Sequence, residues 1–184
     1  TGVQTCALPI SEIRSEIRKA RNKLSNRLNF TELFETSEMQ SAKVISSYLS
    51  YEYEPETSEI NDAILNSGRT LLLPRMLSDK SLEFLPWDGN SKALNSVGKI
   101  KEPIGTRYLG EIDVMLVPAL AVDKSGNRLG QGGGSFDRAL QNYRGWSVAL
   151  INSTELFETI PTESHDMKVD AALTELGLVR FNRD

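Results

Sequence analysis

The sequence predicts an α/β protein whose central sheet is rich in parallel strands and covered by helices on both faces. Short apolar runs typical of buried strands, at 113–118 and 147–151, alternate with stretches of helical periodicity. Alternation of this kind favours parallel pairing, because each crossover helix covers the sheet. A chain of 184 residues has the size of one domain, and we expect a single domain over residues 11–184.

Composition excludes several classes of partner. The formal net charge is -4 and the pI is near 5.2, which argues against a general nucleic-acid surface. Since no apolar run approaches the roughly 20 residues that span a bilayer, we expect no membrane partner. The single cysteine, Cys6, excludes an internal disulfide and fits a reducing compartment. We therefore expect a cytoplasmic protein, and a monomer.

Residues 1–10 differ from the rest of the chain. They have no periodicity, no initiator Met, no basic segment and no long apolar core, so they do not resemble a signal peptide. We expect a non-native or disordered leader, in which Cys6 has no functional role.

An amphipathic helix is predicted from Ser11, its N-cap. Its apolar face repeats at spacings of three and four, through Ile13, Ile17, Ala20, Leu24 and Leu28. A cationic stripe formed by Arg14, Arg18 and Arg21 runs beside that face, and a solvated basic surface is its simplest interpretation.

The later elements follow from the same periodicities. We predict a second amphipathic helix over 30–39, a strand over 43–50, a helix over 60–66 that Gly68 ends, strands over 70–74 and 82–87, and a helix over 136–143.

Residues 130–134, Gly-Gln-Gly-Gly-Gly, form a glycine loop that we predict to bind phosphate. Successive N–H groups of such a run can turn toward one anion where the loop opens a helix. Arg128 and Arg138 bracket the loop, and Asp137 offers a hard oxygen of the kind that Mg²⁺ takes beside phosphates. The loop also lies beyond the predicted strand 113–118, where open α/β sheets bind ligands. A plain flexible glycine turn is the alternative.

The same stretch and its surroundings resemble the 5-formyltetrahydrofolate cyclo-ligase family. The resemblance rests on residues 117–123, 126–130 and 132–134, on Asp137-Arg138, and on the closing segment 160–170. It implies a three-layer α/β/α sandwich with a parallel-rich central sheet. It also implies ATP-dependent conversion of 5-formyltetrahydrofolate, including polyglutamylated forms, to 5,10-methenyltetrahydrofolate, with ATP and Mg²⁺ as cofactors.

The resemblance implies a nucleotide site at the first helix and the glycine loop. Arg14 fills the family's arginine position, with Arg18 as the alternative in register, while Ile10 stands where the family has a lysine. The remaining nucleotide-binding residues are Arg128, Leu129, Gly130, Gln131, Gly132, Gly133, Gly134, Ser135 and Phe136.

The folate site, the metal site and the catalytic residues are implied in the same way. Glu54 is the expected partner of the pterin, because a carboxylate accepts the adjacent ring amine and amide donors as a pair. Asp137 and Asp166 are the expected Mg²⁺ ligands, and Arg128 and Asp137 the expected catalytic residues, whereas His165 is expected to be structural. The other folate contacts are Leu49, Gln131, Gly132, Gly133, Gly134 and Ser135.

Two departures keep other functions open. Many relatives carry Tyr-Tyr-Asp where this chain has Ser135-Phe136-Asp137, so we expect weaker folate binding than in a Tyr-bearing relative. Together with Ile10, this departure leaves room for a folate or nucleotide binder with little turnover. A phosphosugar isomerase or CoA-transferase-like enzyme would instead bind phosphate without consuming ATP.

Overall fold

The computed structural model describes residues 8–24 and 27–182. The helices are α1 (Ile10–Arg21), α2 (Thr31–Glu35), α3 (Ser37–Ser41), α4 (Ser58–Asn66) and α5 (Ser135–Gln141). The strands are β1 (Val44–Ser46), β2 (Thr70–Met76), β3 (Leu82–Pro86), β4 (Leu94–Val97), β5 (Ile100–Pro103), β6 (Val114–Pro118), β7 (Ala121–Asp123), β8 (Arg128–Leu129), β9 (Trp146–Leu150), β10 (Leu156–Phe157), β11 (Ala171–Thr174) and β12 (Gly177–Arg180).

The main sheet of the described chain has seven strands in the order β12-β11-β9-β6-β1-β2-β3. The five inner strands are parallel to one another, and only the edge strands β3 and β12 run antiparallel to their neighbours. The predicted parallel-rich sheet is therefore confirmed. Because the inner strands are parallel, the loops that leave their carboxyl ends meet at one edge of the sheet.

Both faces of this sheet are buried, which explains the continuous apolar run of β6. Val114 and Leu116 point into a core cluster shared with α2, α3 and α4, whereas Met115 and Val117 point into a second cluster shared with α5. The three-layer α/β/α prediction is confirmed by this arrangement.

A small sheet that the sequence did not predict extends the second face. Its strands lie in the order β10-β7-β8, and each is only two or three residues long. Helix α1 packs on it through Ile13 and Ile17, which contact a cluster containing Leu120 and Leu129. The small sheet thus joins the first helix of the chain to the strand that leads into the glycine loop.

Three predicted elements differ most from the structure. Helix α1 begins at Ile10, with Pro9 rather than Ser11 at the N-cap, and ends at Arg21, so Ala20 is exposed and Leu24 lies beyond the helix. The helix predicted over 30–39 is split at Thr36, whose hydroxyl accepts a hydrogen bond from Met39 N at 3.2 Å and caps α3. The strand predicted over 43–50 is only β1.

The described chain is already part of the fold before residue 11. The predicted leader falls mainly on residues 1–7, which lie outside the described residues, together with Cys6. Leu8 and Ile10 pack against the α1 cluster, so the last part of the predicted leader belongs to the folded domain. None of the described helices is long and apolar enough to cross a membrane.

Candidate active site

The glycine loop connects β8 to α5 and adopts a backbone that requires glycine. Gly132 has φ 110° and Gly134 has φ 68°, a region that side-chain-bearing residues rarely occupy. A Cβ atom on Gly130 would lie 2.9 Å from Nη1 of Arg128. The absence of side chains therefore leaves the loop backbone open to a close neighbour.

An ion pair closes the base of this loop. Arg128, at 4 % exposure, donates from Nη2 to Asp137 Oδ1 at 2.8 Å and from Nη1 to the carbonyl of Pro118 at 3.0 Å. Met167 N donates to the same Asp137 oxygen at 3.2 Å. Strand β8, helix α5 and the segment that follows Asp166 thus meet at one carboxylate.

Helix α1 holds the loop from the other side. Arg14 Nε donates to the carbonyl of Gly130 at 2.9 Å, and Arg18 donates from Nε and Nη2 to Gln131 Oε1 at 3.0 and 2.7 Å. Both register alternatives for the nucleotide-binding arginine therefore reach the loop.

The third arginine of the cationic stripe, Arg21, is not a solvated residue. It is 2 % exposed and donates from Nε and Nη2 to the carboxylate of Glu155 at 2.7 and 2.8 Å. Its Nη2 also donates to the carbonyl of Ala119 at 2.6 Å, just beyond β6. This buried pair attaches α1 to the carboxyl edge of the main sheet.

Two cavities lie on either side of the glycine loop. The apolar cavity, of about 250 Å³, is lined mainly by Leu49, Pro74, Met76, Leu82, Ile100 and Phe136, with Glu54 and Glu102 among them. The charged cavity, of about 640 Å³, is lined by Arg14, Lys80, Arg128 and Arg138, with Asp137, Glu163 and Asp166. Five residues line both cavities, namely Arg128, Gly130, Gly133, Gly134 and Asp137.

The expected nucleotide-binding residues are divided between the two cavities. Arg14, Leu129 and Gly132 line the charged cavity, as does Ile10 in the position implied for a lysine. Gln131, Ser135 and Phe136 line the apolar cavity instead. Ser135 Oγ lies 3.6 Å from Met76 Sδ on its wall.

Glu54 is a half-buried carboxyl in the apolar cavity, where Leu49 also lies. Burial raises the pKa of Glu54 to about 7, although the N–H of Tyr51, the charge of Arg21 and a hydrogen bond with Gln131 oppose the shift. The Tyr51 N–H donates to Glu54 Oε2 at 3.2 Å. A carboxyl whose pKa lies near neutral pH can ionise and accept hydrogen bonds from the donors of a ligand.

The sequence did not assign the β4–β5 hairpin to the site. This hairpin brings Ile100 and Glu102 into the apolar cavity, and Glu102 Oε1 accepts from Met76 N at 3.0 Å. The Ile-Lys-Glu-Pro stretch of β5 was the available signal, but periodicity alone could not show that it folds back over β2.

Asp137 and Asp166 line the same charged cavity, and their surroundings can be tested for a Mg²⁺ ion. Asp166 Oδ2 accepts from Glu163 N at 2.7 Å. Asp137 uses Oδ1 for Arg128 and Met167, while its Oδ2 makes no hydrogen bond to the described residues. No group of three metal-binding side chains occurs in that part of the chain. Mg²⁺ commonly takes one or two carboxylates and completes its shell with phosphate and water oxygens, so this pair fits the ion.

His165 lies in the turn beside Asp166 and is largely exposed, with Nε2 at 3.2 Å from Glu163 Oε2. It lines the charged cavity but makes no hydrogen bond to the glycine loop among the described residues, and its structural role stays a prediction.

Comparisons with known proteins point to one family. The model of the 5-formyltetrahydrofolate cyclo-ligase family matches residues 9–175. The 5-formyltetrahydrofolate cyclo-ligase of Mycolicibacterium smegmatis is 34% identical over 145 residues, which cover 73% of this chain and 74% of the relative. The Escherichia coli K12 protein of the same name is 32% identical over 142 residues, 72% of this chain and 78% of its own. The NMR structure of Aquifex aeolicus 5,10-methenyltetrahydrofolate synthetase superposes with a TM-score of 0.80 at 27% identity, covering 96% of this chain and 95% of that one.

Proposed function

The chain belongs to the 5-formyltetrahydrofolate cyclo-ligase family, and we propose that it converts 5-formyltetrahydrofolate and ATP to 5,10-methenyltetrahydrofolate, ADP and phosphate at the glycine loop. The observation that carries this proposal is the wall shared by the two cavities. An enzyme that moves a phosphoryl group from a nucleotide to a second substrate needs both substrates against one set of donors.

The apolar cavity is suited to the reduced folate. Its apolar lining accepts a flat ring system, and the ionised form of Glu54 accepts the paired donors of the pterin. Leu49 lies on the same wall. Gln131, Gly133, Gly134 and Ser135 border the cavity from the loop side, where the formyl group would face the charged cavity.

The charged cavity is suited to the triphosphate. Arg14 and Arg128 supply cations, and the glycines of the loop carry no side chain that would block their backbone N–H groups. Asp137 and Asp166 would hold Mg²⁺, which neutralises phosphate charge when bound.

In this reaction the residues of the two cavities position the substrates and neutralise charge, and none of them acts as a nucleophile. The formyl oxygen attacks the γ-phosphorus, the bond to the β-phosphate oxygen breaks, and ADP leaves. N10 then attacks the formyl carbon, phosphate departs with the former formyl oxygen, and the N10 proton is lost to that phosphate. Arg128 neutralises charge at the border between the two substrates, and Asp137 keeps Arg128 there.

The proposal extends to the setting of the enzyme. We propose a monomer that acts in the cytoplasm, in one-carbon folate metabolism; the single cysteine fits a reducing compartment. Polyglutamylated folates are included among the substrates.

The test follows methenyltetrahydrofolate absorbance with 5-formyltetrahydrofolate, ATP and Mg²⁺. We expect product only when all three are present, loss of product with a chelator, and recovery on addition of Mg²⁺. Arg128→Lys, which keeps the charge but not the two-pronged contact, should lower kcat by about 100-fold or more.

Arg144→Gln is the matched control, because Arg144 is exposed and precedes β9, at the opposite edge of the sheet. Folded wild-type protein that binds both ligands without forming product would instead be a binding homologue. Conversion of a phosphorylated sugar without consumption of ATP would favour the isomerase-like alternative.

A further inference from the structure

The turn between β2 and β3 presents a lysine in an unusual backbone conformation. Leu77 N donates to the carbonyl of Ser81 and Lys80 N to that of Leu77, both at 2.9 Å, which closes the turn. Lys80 has φ 66°, a left-handed conformation that costs an L-residue with a side chain about 1–2 kcal/mol. Glycine or asparagine is the usual residue at such a position.

This turn overhangs the glycine loop. Met76, at the end of β2, contacts Ser135 through its sulfur, and its backbone N–H donates to the carboxylate of Glu102. The turn therefore continues past the apolar cavity, and Lys80 lines the charged cavity. Ile10 and Arg14 line the same cavity from helix α1.

Other cations of the charged cavity already have protein partners. Arg14 donates to the Gly130 carbonyl, Arg128 binds Asp137 and the Pro118 carbonyl, and Arg138 donates to the Gly133 carbonyl at 3.2 Å. Across residues 8–24 and 27–182, the ammonium of Lys80 makes no hydrogen bond or ion pair. It can therefore turn to an incoming phosphate without giving up an existing contact.

We infer that Lys80 binds the triphosphate of the nucleotide and supplies, from the β2–β3 turn, a cation that α1 does not supply at position 10, where Ile10 stands. The inference rests on the proposed function and adds a residue to its nucleotide site. The strained backbone then has a physical reason, since local strain persists where a functional side chain must be held in one place.

Lys80→Gly separates this role from a structural one. Glycine adopts φ 66° without strain, so the variant should unfold at the wild-type temperature or above. Its Kd for Mg-ATP should be measured by titration calorimetry without folate. We expect this Kd to rise about fivefold, a loss of affinity between that of an exposed ion pair and that of a charge-assisted hydrogen bond. The KM of Lys80→Gly for 5-formyltetrahydrofolate should not change. The separate variant Lys80→Arg, which keeps the positive charge, should bind Mg-ATP as the wild type does.

Lys92→Ala is the control, because Lys92 is also exposed and lines neither cavity. A Kd for Mg-ATP of Lys80→Gly equal to that of the wild type would overturn the inference, as would an equal loss in Lys92→Ala. The calorimetric readout does not depend on turnover. Absence of product from the wild type would therefore count against the proposed reaction, while the ATP titration still decides the role of Lys80.

Discussion

Arg128 and Asp137 meet at 2.8 Å across the base of the glycine loop, and their side chains are only 3 % and 13 % exposed. The pair joins β8 to the first turn of α5, so the loop between them is held at both ends. We therefore expect a variant at either residue to change both stability and turnover.

Asp137→Asn tests both effects. The amide keeps an acceptor for Arg128 and Met167 but removes the negative charge, so we expect folded protein with kcat lowered by about 100-fold or more. Thermal unfolding should shift down, because breaking a buried ion pair costs up to about 3–5 kcal/mol. Asp62→Asn, on the exposed side of α4, is the control. Turnover of Asp137→Asn within a few-fold of the wild type would remove Asp137 from the mechanism.

Folate binding should depend on pH through Glu54. Because its pKa is raised to about 7, only about a tenth of the carboxyl is ionised at pH 6, against most of it at pH 8. The KM for 5-formyltetrahydrofolate should therefore be about tenfold higher at pH 6 than at pH 8, and Glu54→Gln should abolish that dependence. A wild-type KM that is flat between these pH values contradicts the assignment.

The same shift acts on stability with the opposite sign. The folded state binds the Glu54 proton more tightly than the unfolded state does, so its stabilising contribution is complete below about pH 4.5 and is lost as the pH rises through about 7. The difference in unfolding temperature between Glu54→Gln and the wild type should accordingly be more favourable to the variant at pH 8 than at pH 5.

Two neighbouring glycines should respond differently to alanine. Gly132 has φ 110°, so Gly132→Ala forces a strained backbone, whereas a Cβ on Gly133 would meet only Ser135 Oγ, at 3.8 Å. We expect Gly132→Ala to raise the KM for ATP severalfold and to cost about 1 kcal/mol or more of stability. Gly133→Ala should have the smaller effect on both measurements, and the reverse order would disprove this account of the loop.

The buried pair of Arg21 and Glu155 should show strong coupling. Arg21→Met leaves the Glu155 charge unpaired and should cost about 3–5 kcal/mol in denaturant unfolding, while Arg21→Met/Glu155→Gln should recover most of it. Arg27→Met, which removes an exposed pair with Glu59, should cost at most about 1 kcal/mol. Equal costs for the two single variants would mean that α1 is not anchored by the buried pair.

Ser135→Tyr should tighten folate binding. Ser135 lines the apolar cavity beside Met76, and a phenol ring there adds a surface for the substrate to stack on. We expect a lower KM for 5-formyltetrahydrofolate and an unchanged KM for ATP. Steady-state kinetics that give equal folate KM values for the two proteins would contradict the prediction.

The sequence predicted the parts of the site that are local in the chain. The glycine loop, its flanking Arg128 and Asp137, and the central sheet follow from spacing, because loop backbone and buried strands leave patterns within a few residues. Leu49 and Glu54 depended on the resemblance to a family, since an acidic segment before a helix is common for other reasons.

Contacts between distant segments could not be predicted in this way. Arg21 looked like part of a solvated stripe because its partner, Glu155, is 134 positions away. The strands of the small sheet are too short to show alternation, and Lys80 looks like any turn lysine until the turn is seen above the charged cavity. In each case the missing information was tertiary.

The common wall of the two cavities has a consequence for inhibitors. A compound that carries a pterin-like group and a phosphate-like group, joined by a linker no longer than the width of the glycine loop, would occupy both cavities at once. After the first group binds, the second would meet its cavity at a high effective concentration, so the affinity of the whole compound would exceed that of either half. The enzyme would thus be inhibited by a molecule that neither substrate displaces efficiently, because each substrate competes for only one of the two cavities.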